Sequence, residues 1–381
     1  MPAFVIAANG FGDGPAQALR DFLVARGAEV VTIFHPLTPE QGRTHLITTY
    51  AGGRVVERTR RLPLRPPLSF AVDPLVPLRP PAVDTWFGFN PLACARGLVA
   101  RRLGRAARVV LWSVDFVPDR FGPGTLATRI YDRVDRAACL HADARVELSE
   151  AARDARNARH GLTSGEAPAH VVPMGAWLDR VPTTVPDNVR RRRVVFLGHL
   201  VPRQGVEVLV EALTILRERD ARIEADLIGT GPLEASLRAS ASALGSAVRF
   251  HGFVPDHRDV ERLLAEASIA AAPYRPDETF TQYADPGKLK AYLAAGLPIV
   301  LTDVPPNARE LAAEGGAEIV PYDAAALADA LAGGLESEER WHDRRAAALA
   351  YARGFDWPVL LSELVRKLGL ELPDASAAAA P

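Results

Sequence analysis

At 381 residues, 48% apolar and 24% charged, the chain has the composition of a globular protein and is too long for one ordinary core, so two domains are expected. A formal net charge of −1, with arginines spread along the whole length, excludes a broad nucleic-acid footprint. No apolar run reaches the roughly 18 residues of a membrane span, the opening MPAFVIAANG lacks the marks of a signal peptide, and Cys94 and Cys139 are too few for a disulfide framework or a cysteine-based metal site, which together predict a cytoplasmic protein.

Short apolar runs alternate with helical patterns from end to end, as in parallel sheets covered by helices, so the fold class is α/β. AFVIAA (3–8) predicts a buried strand, followed by a glycine-rich turn, Asn9 to Gly14, and a helix that Gly27 stops. EVVTIF (29–34) is the next strand, and the proline-rich stretch 61–82 reads as an irregular surface connection. Then come a strand near 83–88, a helix over 91–103, a strand at 108–112 and a helix through TRIYDRVDRAACLHA. A polar, arginine-rich joint at 183–193, which reads as a hinge, leads to a second unit of the same kind. Its pattern is strand 194–198, helix 206–219, strand 223–228, helix from 233, strand 248–250, helix 258–266, strand 268–272, and a last helix and strand in PGKLKAYLAAGLPIVLTD. Ligands of such sheets bind beyond the carboxyl ends of the strands, so the working site is expected in a cleft between two sheets facing each other.

Only three of the 45 basic residues are lysines, and two of them, Lys288 and Lys290, stand almost side by side. Pro286 opens a helix whose first N–H groups, on Gly287, Lys288 and Leu289, lack helical partners, and the dipole adds positive charge there. This is either an anion site with Lys288 as its mobile charge or an ordinary capped surface helix. Lys290, on another face, is expected to be solvated. GTGP (Gly229, Gly231) and HLVPRQG (His199, Arg203) are strand-to-helix turns that either let a backbone approach a nucleotide or simply connect. Gly12 marks a third such turn. WSVDFVPDRF brings Asp115 to a strand end, where its carboxylate either orients a hydroxyl or caps the next turn. His35, also at a strand end, reads as packed, and the nine histidines form no metal-ligand constellation.

The order FLGHLVPRQGVEVLVEAL, LIGTGPLEASLRASASALGSAVRFHGFVP, AEASIAAAPYRP, PGKLKAYLAAGLPIVLTD resembles the donor domain of GT-B glycosyltransferases, most closely the retaining family often called glycosyltransferase family 4. AANGFGDGPAQALRDFLVARGAEV, HADARVELSEAA and VVPMGAWLDRV extend the likeness into the first half. The resemblance implies two Rossmann-like domains: an acceptor domain over 1–185 and a donor domain over 186–354. A return helix over 355–369 would pack on the first, followed by a disordered tail over 370–381. It implies a nucleotide-diphosphate sugar as co-substrate, its diphosphate over Gly287, Lys288 and Leu289, with no metal and no other cofactor. The acceptor would be a small molecule, a glycan or a lipid-linked hydroxyl, with peripheral membrane contact left open.

The chain also departs from the pattern. The usual arginine and lysine of the first donor loop are His199 and Gln204, with Arg203 next door. The usual glutamate pair falls on Tyr283 and Ala291, leaving Asp285, Asp277 and Glu278 as the nearest carboxylates. These departures motivate, as an alternative to a transferase, a catalytically silent subunit that binds a partner; a nucleotide-sugar epimerase of the same fold is a further, less favoured alternative.

Overall fold

The structure, a computed structural model, describes residues 3–37, 42–66, 68–72, 76, 82–163, 165, 168–277 and 281–373. Glu278 and the end of the expected tail, 374–381, lie outside the described residues. The chain divides into two units, one running to Pro173 and resuming at Pro358, the other Met174–Trp357.

The first unit begins with β1 (Ala3–Asn9), α1 (Pro15–Ala25) and β2 (Glu29–His35). A hairpin follows that the apolar periodicity did not anticipate, β3 (Thr44–Ala51) and β4 (Arg54–Pro63). Its turn is Gly52-Gly53, at φ 56° and 75°. Two consecutive positive φ angles make the tight turn that suits the twist of paired strands, and glycine reaches them without strain. The stretch expected to be wholly irregular from 61 therefore starts as strand, and it also holds α2 (Leu68–Val72). The remaining elements are β5 (Val83–Gly88), α3 (Pro91–Arg102), β6 (Ala106–Ser113), α4 (Leu126–His141), β7 (Ala144–Glu147), α5 (Glu150–His160) and β8 (Ala169–Val171). Helix starts follow the capping chemistry: Asn90, Thr125 and Ser149 each accept a first-turn N–H, and α5 ends on Gly161 at φ 61°. The eight strands run β4-β3-β2-β1-β5-β6-β7-β8, parallel except for the pairings of β3 with β2 and β4. Val5, Ile33, Trp86, Val109 and Leu111 form the core under the helices.

The second unit contains β9 (Arg193–Leu197), α6 (Val206–Arg219), β10 (Glu224–Ile228), α7 (Glu234–Ser240), β11 (Val248–Gly252), α8 (His257–Ala265) and β12 (Ile269–Ala272). It continues with α9 (Gly287–Ala294), β13 (Ile299–Thr302), α10 (Ala308–Glu314), β14 (Ala317–Val320), α11 (Ala324–Glu336) and α12 (Glu338–Ala352). The order β11-β10-β9-β12-β13-β14, all parallel, is that of the Rossmann fold. Strand alternation gives each face its own core: Val194 and Phe196 pack with α6 and α11, while Val195 packs in the layer of α9 and α12.

The expected joint is not a loose linker. Residues 174–185 already belong to the second unit: Thr184 donates its N–H to Ala295 O (2.8 Å) and its hydroxyl to Ala267 O (2.8 Å). Pro186–Arg191 is a 3₁₀ turn with Asn188 and Val189 buried, and the Asn188 amide donates to Ala265 O at 2.7 Å. The helix α13 (Trp357–Lys367) starts on the last residue of the second unit, where Trp357 N–H bonds Ala176 O at 3.0 Å. From Pro358 it belongs to the first unit, where Arg108 of β6 donates to Leu368 O just beyond its end.

Candidate active site

In the second unit the strand order reverses between β9 and β12, so the loops leaving their carboxyl ends diverge and open a crevice. Lys288, in the first turn of α9, reaches into it. Its ammonium lies 4.2 Å from the Phe196 ring centre and 4.6 Å from that of Tyr274, and donates to Gln204 Oε1 at 2.5 Å. No carboxylate among the described residues pairs with it. Burial, and then the Arg203 guanidinium, pull its pKa well below the usual lysine range. A cation held by ring faces and a neutral amide, with a second cation beside it, is a pocket short of an anion.

The start of α9 reinforces this. Pro286 is its N-cap and supplies no side-chain acceptor. The Gly287 and Lys288 N–H groups have no partner among the described residues, but Leu289 corrects the expectation: its N–H is taken by Pro286 O at 3.0 Å. Two donors, not three, remain for a ligand.

Asp285 and Lys290 also differ from expectation. Lys290 is 2% exposed, its ammonium 3.1 Å from Asp285 Oδ1 and 3.8 Å from the Phe355 ring centre. Asp285 accepts besides from Met174 N–H (2.6 Å) and the Asn307 amide (3.2 Å). Its carboxylate is committed to fixing the approach to α9, and Lys290 is its buried counter-ion rather than a solvated charge. The lysine pair thus divides its work between a cation with no carboxylate partner among the described residues and a structural one.

The two glycine turns pack on each other. Gly198 N–H bonds Ile228 O (2.9 Å) and Leu200 N–H bonds Thr230 O (3.0 Å). Gly229, at φ 134°, leaves no room for a Cβ, which would stand 2.0 Å from Gly198 O; at Gly231 it would stand 2.4 Å from Leu200 O. Their glycine requirement therefore comes from loop-to-loop packing. His199 is exposed on the same loop, Arg203 is half-buried, and Gly205 (φ 65°) lets α6 begin against Pro273 O. Phe196 and Tyr274 were not expected in the site, whereas Gln204, which stands at the lysine position of the first donor loop, meets Lys288 there. The signal for Tyr274 lay in AAAPYRP, where an aromatic directly follows the carboxyl end of a buried strand.

Gly12 and Asp115 belong to the first unit. Gly12 is exposed in the turn after β1, with open space around it. Asp115 follows β6 and pairs with Arg120 at 2.5 Å, while the next helix is capped by Thr125, so the capping alternative for Asp115 falls away. A buried network anchors its loop. Arg156, 2% exposed, donates to Ser113 Oγ and to Asp115 O (2.8 Å), and pairs with Glu147 (2.9 Å) and Asp135. Against the cost of burial, Glu147 and Asp135 hold the Arg156 guanidinium protonated. His35 is buried, accepts from Arg96 at 3.0 Å, and is pulled down to a pKa of about 2 by burial, Arg96 and His45. It is a neutral packing group.

Residues 191–337 match the family of glycosyl transferases group 1. The chain is 32% identical over 177 residues to a phosphatidyl-myo-inositol mannosyltransferase of Mycobacterium leprae, covering 46% of each chain. It is 30% identical over 113 residues to the amylovoran biosynthesis glycosyltransferase AmsK of Erwinia amylovora, covering 29% of this chain and 28% of that one. The match thus spans about half the length of the mannosyltransferases. Among solved structures, a sucrose-phosphate synthase from Thermosynechococcus elongatus superposes with a TM-score of 0.71 at 17% identity, over 97% of this chain and 99% of that one. Anabaena HepE in complex with UDP-glucose gives 0.68 at 17% identity, over 97% and 100%. The family match thus falls within the second unit, and the chain as a whole carries the GT-B fold.

Proposed function

We propose that this protein moves a sugar from a nucleotide-diphosphate sugar to an acceptor hydroxyl. The observation that carries the reading is the Lys288 ammonium, set among Phe196, Tyr274 and Gln204 with no carboxylate partner among the described residues, beside two N–H groups of α9 likewise without a partner there, at the switch point of the sheet. In the reaction the bond from the anomeric carbon to the diphosphate breaks with its electron pair on the phosphate oxygen, the acceptor oxygen bonds to that carbon, and the hydroxyl proton passes to the leaving diphosphate. Lys288, the Gly287 and Lys288 N–H groups and Arg203 stabilise the charge that develops on the leaving group. Retention at the anomeric carbon, and a reaction needing no metal or other cofactor, belong to the same proposal. His199 belongs to the same donor proposal, and Gly12 and Asp115 are the candidates of the first unit, Asp115 as the carboxylate assigned to the acceptor.

The neutral Gln204 and the small Ala291 favour a second reading, a subunit that binds a partner and is catalytically silent. A thermal-shift panel of nucleoside diphosphates separates the two. Stabilisation by one of them, followed by mass-spectrometric detection of a glycosylated product, supports the transferase; no stabilisation by any leaves the silent subunit.

A further inference from the structure

The sheet of the first unit ends on an open strand. Among the described residues β4 pairs with β3 alone, stands last in the strand order and is exposed along almost its whole length. Residues 42–66 carry six arginines, Arg43, Arg54, Arg58, Arg60, Arg61 and Arg65, against one acid, Glu57, in a chain of net charge −1. All six are exposed, and among the described residues none pairs with a carboxylate. Exposed arginines elsewhere are of both kinds: Arg190 pairs with Glu338 and Arg222 with Asp220, while Arg102, Arg129 and Arg258 have no carboxylate partner among the described residues. What sets this edge apart is the number of such cations gathered on one hairpin.

Charge on an open edge discourages a second copy from adding to it, since like charges would meet. The same charge favours an acidic chain. Strand alternation puts Arg58 and Arg60 on one face of the sheet and Arg61 on the other. A segment lying along β4 would hydrogen-bond its backbone and send its own side chains alternately to both faces, where each acid would find an arginine. A bilayer is planar, so it would engage one face and leave the strand's amides open. We propose that β4 receives an acidic, extended segment of a partner protein as a ninth strand, with Val55 and Val56, both exposed, giving apolar contact at the turn end.

The probe is an acetylated decapeptide alternating glutamate with threonine or valine, followed by fluorescence anisotropy and by hydrogen exchange along β4. The expected result is binding that weakens with salt, with protection of alternate β4 amides. The combined variant Arg58→Glu, Arg60→Glu, Arg61→Glu should lose affinity by about tenfold or more and should prefer the same peptide with lysine in place of glutamate. All three positions are exposed, and circular dichroism and a thermal melt confirm that the variant is folded. Peptide binding without amide protection would overturn strand addition. Binding of phosphatidylglycerol vesicles but not peptide would make this a membrane surface instead, and binding of neither would end the proposal.

Discussion

Lys288 is where residue chemistry and function meet most directly. Replacing it with alanine removes a charge-assisted contact, so binding of a nucleoside diphosphate should weaken by ~1.5–3 kcal/mol while that of the bare nucleoside hardly changes. Titration calorimetry of both ligands checks this, and equal loss for the two would mean that Lys288 acts through folding. The lowered pKa makes a second prediction, with a definite sign. Between the folded pKa and the ordinary value of about 10.4, the unfolded chain binds more protons at this lysine than the folded one, so its burial costs stability that returns as pH rises. A diphosphate favours the ammonium form, so its binding should take up protons at any pH above the folded pKa. From about pH 8 upward the ligand is already ionised, a phosphate's second pKa being about 6, so uptake measured there up to about pH 10, in buffers of different ionisation enthalpy, reports the protein. No uptake by the native protein, or equal uptake by Lys288→Ala, would refute the assignment. For Asp115 the test is kinetic: Asp115→Asn should lower kcat by on the order of 10²-fold with donor affinity unchanged, because a misplaced acceptor costs reaction geometry and not donor contacts.

At the scale of elements, the same residue type carries different constraints in different turns. Gly229→Ala would force a Cβ into Gly198 O at a φ of 134° and should cost at least ~2 kcal/mol, whereas Gly12→Ala, in open space, should stay within about 0.5 kcal/mol. Denaturant melts of the two variants compare them directly, and similar losses would remove the packing argument for the GTGP turn. These contrasts mark how far the elements were legible. Strands and helices with clean periods, such as β5 and α6, fall where the pattern puts them, and the GTGP turn falls between its strand and helix. What the pattern could not hold was tertiary: that Gly229 serves Gly198, and that Asp285 is spent on Met174, Asn307 and Lys290. The hairpin was a different failure, since Gly52-Gly53 between β-branched runs is a local signal that an apolar-run reading passes over. The Arg156 network, assembled from β6, β7, α4 and α5, has no local signal at all. Its predicted weight is large: Arg156→Met should destabilise the protein by up to ~3–5 kcal/mol, because Glu147 would keep only Arg145, at 3.8 Å, and Asp135 only His160, at 2.9 Å, as buried partners.

Across the whole molecule, each unit has its own sheet and its own core, and the proposed donor site belongs to the second: Phe196, Gln204, Tyr274, Gly287 and Lys288 all lie within Met174–Trp357. A ligand that binds a folded unit stabilises that unit by mass action, by about 2.7 kcal/mol at a free concentration of 100 Kd. Calorimetric unfolding should therefore resolve into two transitions, and a nucleoside diphosphate should raise one of them. Hydrogen exchange supplies the assignment, with ligand-dependent protection expected at 196–205, 229–233 and 286–291 and the strands of the first unit unchanged. The joint at 183–193 sharpens the test, because Thr184 and Asn188 are bonded to Ala295, Ala267 and Ala265 and should follow the second unit. Protection of 183–193 that instead tracks the ligand-insensitive transition would return that segment to the first unit. Equal upward shifts of both transitions would show that nucleotide stabilisation is not confined to the unit where this site has been placed.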